Sequence, residues 1–394
     1  MVEKATKGTI VLAGSLAQRP GVGGHTWVFL QYLLGFRQLG WHVLFLDALG
    51  PDMCADAAGD RCPVERSENL RYLAHVMERF GLGDDFSLLY KDSEGRRFIG
   101  LPRGDVLERV RGSALLINVM GFLTDEELLT AAPRRVFLDI DPGFGQMWRE
   151  LGCADVFAGH TDFVTIGQNV GRPGCGVPTL GLDWVTTPQP VVLEQWPVRE
   201  PGDSRGAFTS VVSWRGPFGP IEYRGRTYGL RVHEFRKFID LPRRAGGRFE
   251  LALDIHANEV NDIALLDANG WERVDPRRVA GDPWAYRDYV ASSAAEFMIA
   301  KNLYVQTGGG WVSDRSICYL ASGRPVLAQD TGIGHFYPTG QGLVTFSNPD
   351  EAEAGAKSIR GDYARHCKAA RRLAEDYFDS SKVLTRLPEK LGVG

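Results

Sequence analysis

The first fifty residues constrain the fold most. Ile10–Val11–Leu12–Ala13 is a continuous apolar run, the pattern of a strand buried on both faces. A glycine-rich loop follows, Pro20–Gly21–Val22–Gly23–Gly24–His25, and residues 26–39 then set Val28, Leu30, Tyr32, Leu33 and Phe36 at helical spacing. Gly40 supplies the helix stop, and residues 42–49 (HVLFLDAL) form a second buried strand that carries Asp47. A β–loop–α–β unit of this kind requires a parallel sheet and a right-handed crossover.

The alternation continues along the chain. Helix patterns cover residues 67–80 and 125–132, and strand patterns cover 114–119, 135–139 and 163–166. Residues 171–201 are rich in Gly, Pro and Thr with little periodicity, the composition of a connection. A second series then begins: strands at 208–212, 249–255, 303–305 and 325–328, helices at 228–238, 284–295 and 313–322, and one or two long helices over 350–387. A chain of 394 residues is too long for one ordinary domain and suits two. The reading is an α/β protein of two Rossmann-like halves facing across a cleft, with the ligand beyond the carboxyl ends of the strands.

Composition excludes more than it selects. A net charge of −4 gives no general attraction to nucleic acid or anionic lipid, so no nucleic-acid partner is expected. The six cysteines form no CxxC pair and no zinc-like spacing, which reads as separate thiols in a reducing compartment. The apolar run at 9–17 is too short for a signal peptide, and no stretch reaches the roughly 20 apolar residues of a membrane helix. The expectation is a cytoplasmic protein without integral membrane association; the oligomeric state is open.

Several residues could carry chemistry. Gly21, Gly23 and Gly24 can bring main-chain N–H groups close to a phosphate at a helix N-terminus, although a tight strand-to-helix turn without a ligand would look the same. His25, in the first helical turn, is disfavoured as imidazolium and suits general-base work; a ring that merely bonds a loop carbonyl is the competing reading. Asp139 and Asp141 end a strand at the same edge, where one could orient His25 or meet an acceptor, and His160 belongs to a further polar cluster. Arg215, at a strand end, has the guanidinium geometry for a leaving diphosphate.

The second half holds the stronger signal. Gly308–Gly309–Gly310–Trp311–Val312–Ser313–Asp314–Arg315–Ser316 leads into a helix capped by Ser313 or Asp314, then a stop at Gly323, a strand, and the loop Asp330–Thr331–Gly332. This segment, "GWxSxxS…LASGRPVLAQDTG", resembles the donor-binding segment of GT-B glycosyltransferases of the family 1 and family 4 types. The "GGH" loop and the C-terminal "ARRLAEDYFDSSKVLTRL" are similar to other parts of the same family. The resemblance implies a nucleotide-sugar donor bound by Gly23, Gly24, Arg215, Gly310, Ser313, Asp314, Ser316, Asp330 and Thr331. It places the nucleobase near Trp271 and Val274, and catalysis at His25, with Asp141 and His160 beside it.

It also implies an N-terminal acceptor domain over residues 1–195, a donor domain over 205–370, and closing helices over 371–394 that cross back. Metal independence is expected, with no cofactor beyond the donor as co-substrate and no metal ligands. The acceptor is a small molecule, a glycan or a natural product. One position departs from the pattern: Cys318 stands where many relatives carry a ribose-binding glutamate. A nucleotide-sugar epimerase of the same fold, or a non-catalytic partner protein that keeps the fold, is the rival reading. A Rossmann-type oxidoreductase lacks the third glycine of its loop.

Overall fold

The structure, a computed structural model, describes residues 7–393 apart from 201, 203, 217 and 218. Its first sheet contains β1 (Thr9–Ala13), β2 (His42–Leu49), β3 (Phe86–Asp92), β4 (Gly95–Gly100), β5 (Ser113–Val119), β6 (Arg135–Asp139), β7 (Asp162–Thr165) and β8 (Trp184–Thr186). Their spatial order is β4-β3-β2-β1-β5-β6-β7-β8, parallel throughout except for the β3–β4 hairpin at one edge. Alternate residues serve two cores. Ile10, Leu12, Leu115, Ile117 and Leu138 face the helix Gly23–Gln38, whereas Val11, Ala13, Leu44 and Leu116 face Val106, Val110 and Leu128 on the other side.

The second sheet is parallel in the order β13-β12-β9-β14-β15-β16. It uses β9 (Ala207–Ser213), β12 (Arg248–Asp254), β13 (Trp271–Val274), β14 (Ala295–Met298), β15 (Val326–Gln329) and β16 (Leu343–Phe346), while β10 (Ile221–Tyr223) and β11 (Arg226–Tyr228) pair as a separate hairpin. Strand order reverses between β1 and β5 in one sheet and between β9 and β14 in the other. Crevices for ligands open at such switch points.

The chain returns to the first sheet at its C-terminal end. A π-helical turn, Ala374–Phe378, leads into the helix Ser380–Lys390. Ser380 N donates to Val191 O and Val191 N to Phe378 O. Gly35 allows this helix to sit close, since a Cβ there would lie 2.5 Å from Leu384 Cδ1. The expected crossing helices are therefore present.

Two expectations about elements need correction. Leu303–Tyr304–Val305 is not a strand but part of the helix Asn302–Thr307, and the strand of that region is β14. A three-residue apolar run fits either element, and here Leu303 and Tyr304 are buried on one helical face. Tyr228 belongs to β11, and the helix predicted over 228–238 begins at Arg231 and passes into a 3₁₀ turn after Phe235. Among the described residues no helix is long and apolar enough to cross a membrane, and all six cysteines are free thiols.

Candidate active site between the two domains

The carboxyl ends of the two sheets meet across a seam built by glycines. A Cβ on Gly23 would lie 2.1 Å from the Asp282 carbonyl oxygen, and one on Gly24 would lie 2.9 Å from the Tyr286 ring. Both glycines thus let the helix Gly23–Gln38 approach the helix Pro283–Ser292 of the second domain, and Trp27 Nε1 donates to Pro283 O at 2.8 Å. The expectation that Gly23 and Gly24 face a donor phosphate is corrected here, because helix packing occupies that side of them. On the opposite flank a Cβ on Gly143 would meet Leu303 Cδ2 at 2.4 Å.

His25 lies partly exposed beneath the β1 loop. Its Nε2 is 3.0 Å from Ser15 Oγ and 3.2 Å from Ser15 O, and its ring stands edge-on to Phe29. Burial lowers its pKa to about 4, the Arg19 charge adds to this, and the bond to Ser15 opposes it. The same loop is clamped by Asp47, which accepts from Ala17 N at 2.6 Å and Ala48 N at 2.7 Å, and whose carboxyl burial pushes up to about 7.

Neither aspartate of the β6 end orients His25, contrary to expectation. Asp139 is buried, accepts from Gln146 Nε2 at 2.7 Å and Thr165 Oγ1 at 3.1 Å, and has its pKa raised to about 7 by burial. Asp141 instead reaches across the seam, where it accepts from Lys301 Nζ at 3.0 Å and from the Tyr304 hydroxyl. His160 is also placed elsewhere. It bonds Asn118 Nδ2 at 3.1 Å and the Phe157 carbonyl at 3.1 Å, with Phe137 edge-on. Asn118 and Phe137 point to the sheet face opposite the helix Gly23–Gln38, so His160 braces that face and lies apart from His25.

At the β9–β14 switch point the second domain gathers cations. Lys301 lies three residues beyond the end of β14, and Arg231 opens the helix Arg231–Phe235. Together with Arg215, Phe144, Gly229 and Leu230 they line a narrow crevice of about 10 Å³, room for one water, beside the β10–β11 hairpin. Arg231 donates to Ser213 O at 3.3 Å, while its Nε is buried and bonds nothing among the described residues. Burial, then the neighbouring Arg315 charge, lowers its pKa to about 10. Burial likewise lowers that of Lys301. Arg215 is exposed and holds Glu259 through both Nε and Nη2. The hairpin spans to the first domain, where Tyr223 Oη donates to Glu150 at 2.7 Å and Arg224 pairs with the same carboxylate.

The glycine-rich motif takes the predicted form in part. Ser313 caps the helix Asp314–Ala321 by accepting from Arg315 N at 3.2 Å. Asp314 lies beside it, and burial raises its pKa. Gly310, at φ 69°, packs against Asn169, which donates through Nδ2 to Gly308 O at 2.8 Å and Gly332 O at 3.1 Å. Thr331 is turned inward to donate to Trp311 O at 2.6 Å, and Asp330 Oδ1 accepts from Gly332 N and Ile333 N.

Other donor assignments are corrected. Ser316 is fully buried and faces Glu296, which pairs with Arg315. Trp271 is packed among Phe235, Phe249 and Phe297 with Nε1 donating to Ile239 O at 2.7 Å, so it belongs to the core and is not free to stack on a base. Val274, by contrast, lines a depression at the carboxyl ends of β12 and β13, with Asp254, Arg273 and Asp275. Cys318 is buried; its thiol donates to Asp314 O at 3.3 Å and meets Gln31 of the first domain.

Sequence reasoning missed Lys301, Arg231, Tyr304, Asn169 and Ser15. Lys301 carried a usable signal, since it ends the apolar run Phe297–Met298–Ile299–Ala300, but placing a strand at 303–305 hid it. The partners of Asn169 lie 139 and 163 residues away and had no local signature.

No family model matches the chain, and no curated protein matches it. Solved structures do. An alpha-glucosyltransferase in complex with UDP and a 13-mer DNA is 11% identical, with 98% of this chain and 99% of that chain covered at a TM-score of 0.59. AviGT4, a glycosyltransferase involved in avilamycin A biosynthesis, is 14% identical, with 97% and 96% covered at a TM-score of 0.53. HepE of Anabaena, in complex with UDP, is 10% identical, with 98% and 99% covered at a TM-score of 0.55. The DNA-bound neighbour overturns the expectation of no nucleic-acid partner. Net charge sums over the whole surface, and a fold that serves a DNA-bound enzyme cannot be separated from DNA by that sum. Likeness over nearly the full length of both chains establishes the architecture: the protein has the two-domain GT-B fold of nucleotide-sugar glycosyltransferases.

Proposed function

We propose that the protein is a metal-independent glycosyltransferase that moves a sugar from a nucleoside diphosphate onto an acceptor hydroxyl. The observation that carries this reading is the cationic crevice at the β9–β14 switch point, where Arg231 has a buried Nε without a partner among the described residues. A diphosphate oxygen satisfies that donor, and buried unmet donors are rare without such a purpose. Lys301 and Arg215 add charge, and the amides at the capped start of the helix Asp314–Ala321 add a dipole end. These groups neutralise the leaving diphosphate without a metal ion. Uridine is the first nucleotide to test, because the alpha-glucosyltransferase and HepE are in complex with UDP. The base would sit in the depression beside Val274, and Asp314 replaces the missing glutamate at the ribose.

In the transfer step the acceptor O–H gives its proton to His25 and its oxygen bonds to the anomeric carbon. The bond from that carbon to the diphosphate breaks, and the nucleoside diphosphate leaves with the electron pair. Asp141 holds Lys301 in place across the seam. His25→Ala lowers kcat by about 10²–10⁴-fold and leaves nucleotide affinity intact, read by donor turnover with an acceptor panel and by calorimetry. Wild-type turnover in this variant would remove His25 as the base. An epimerase of this fold would convert nucleotide-sugar with no acceptor present, so the acceptor-free control separates the two.

A further inference from the structure

We propose that Ser15 is a positioning residue that fixes His25 in the Nε2–H tautomer, so that Nδ1 is the atom that receives the acceptor proton. The argument rests on which atoms can accept. Ser15 O, 3.2 Å from Nε2, is a carbonyl and can only accept, so Nε2 carries the hydrogen. Ser15 Oγ, 3.0 Å from the same nitrogen, then shares that hydrogen as a second acceptor. The opposite tautomer would set the Nε2 lone pair against the carbonyl lone pairs in a partly buried place, where such repulsion is only partly screened.

The other nitrogen is free. Among the described residues Nδ1 makes no hydrogen bond, and it is not among their buried atoms that lack a partner, so it is open to solvent. A neutral imidazole with Nε2–H tied inward and an unprotonated Nδ1 facing water has the arrangement of a base whose orienting partner sits on its far side. Here that partner is a serine, supplied by the same loop and held by the Asp47 and Asn69 bonds to Ala17. The carboxylate at the β6 end, which the sequence suggested for this task, is engaged by Lys301 and Tyr304.

The catalytic half of this inference rests on the transferase reading above; the tautomer itself does not. The test is a long-range ¹H–¹⁵N correlation spectrum of the full-length protein labelled with ¹⁵N-histidine, with His25 assigned by comparison with His25→Gln. The expected result is a single Nε2–H tautomer at neutral pH, and an Nδ1–H or mixed pattern overturns the proposal. Ser15→Ala keeps the carbonyl and removes Oγ. It is expected to keep the Nε2–H tautomer, which the carbonyl imposes, but to loosen the ring and lower kcat at least severalfold with KM for the donor unchanged, while Ser15→Thr restores kcat. An Nδ1–H signal in Ser15→Ala would show that the carbonyl does not fix the tautomer, and an unchanged kcat would overturn the role of the Ser15 hydroxyl. If wild-type protein shows the tautomer but transfers no sugar to any acceptor, the transferase reading fails and the tautomer assignment stands.

Discussion

At the scale of single residues, burial decides what each ionisable group can do. An imidazole serves as base only when unprotonated, and His25 has its pKa lowered to about 4 from the ordinary 6.5. It is therefore neutral over the whole physiological range and gains a proton only as pH falls towards that value. Following the His25 ring proton by NMR should give a midpoint at about 4; a midpoint near 6.5 would show that the ring is solvated and the loop open. Arg231 makes the complementary case. Replacing it with Met keeps the bulk of the side chain but deletes the buried donors. Nucleotide affinity should fall about tenfold or more, the usual worth of a charge-assisted bond, with little change in folding. Unaltered affinity in Arg231→Met, measured by calorimetry, would move the diphosphate elsewhere.

At the scale of elements, much was legible and the rest was not for definable reasons. The β1–loop–helix–β2 unit, β5, β6, β9, β12 and the capped helix at Ser313 follow from apolar runs, glycine stops and cap residues, which are local signals. The β3–β4 hairpin and the short strands β13 and β16 went unread, because short runs such as Trp271–Val274 carry little periodicity. The glycines of the first loop were recognised, but their cause was not. Sequence shows that a position tolerates close approach, and only the packing shows that Asp282 and Tyr286 are what approach. Gly23→Ala should therefore destabilise the protein by about 1–3 kcal/mol, since two backbones must move apart. Gly104→Ala, with open space at its Cβ in the helix Arg103–Arg111, should be neutral or slightly stabilising. Thermal unfolding of the pair checks this; equal melting temperatures would mean that the seam is slack.

At the scale of the whole molecule, the proposed site depends on two switch points facing each other. In the proposed site the first domain would contribute His25 and Asp141, and the second Arg231, Lys301 and the Ser313 helix. Asp141 with Lys301, Asn169 with two glycine-rich loops, and the Tyr223–Glu150 contact join them. Such cross-seam bonds are what a donor would meet on entering, and closing them again would exclude water from the reacting centre. The identity of the acceptor was never legible, because acceptor pockets are shaped by loops whose sequences follow no periodic rule. Of the proposed donor side, the helix cap at Ser313 and the turn at Gly310 were legible as structure. Isothermal titration of the wild-type protein with UDP, dTDP, GDP and ADP tests the central claim most directly. At least one should bind with a dissociation constant below about 1 mM, the upper end of ordinary enzyme–substrate affinities, and lose that binding in Arg231→Met. Absence of binding by all four would contradict the claim that this cleft holds a nucleotide-sugar.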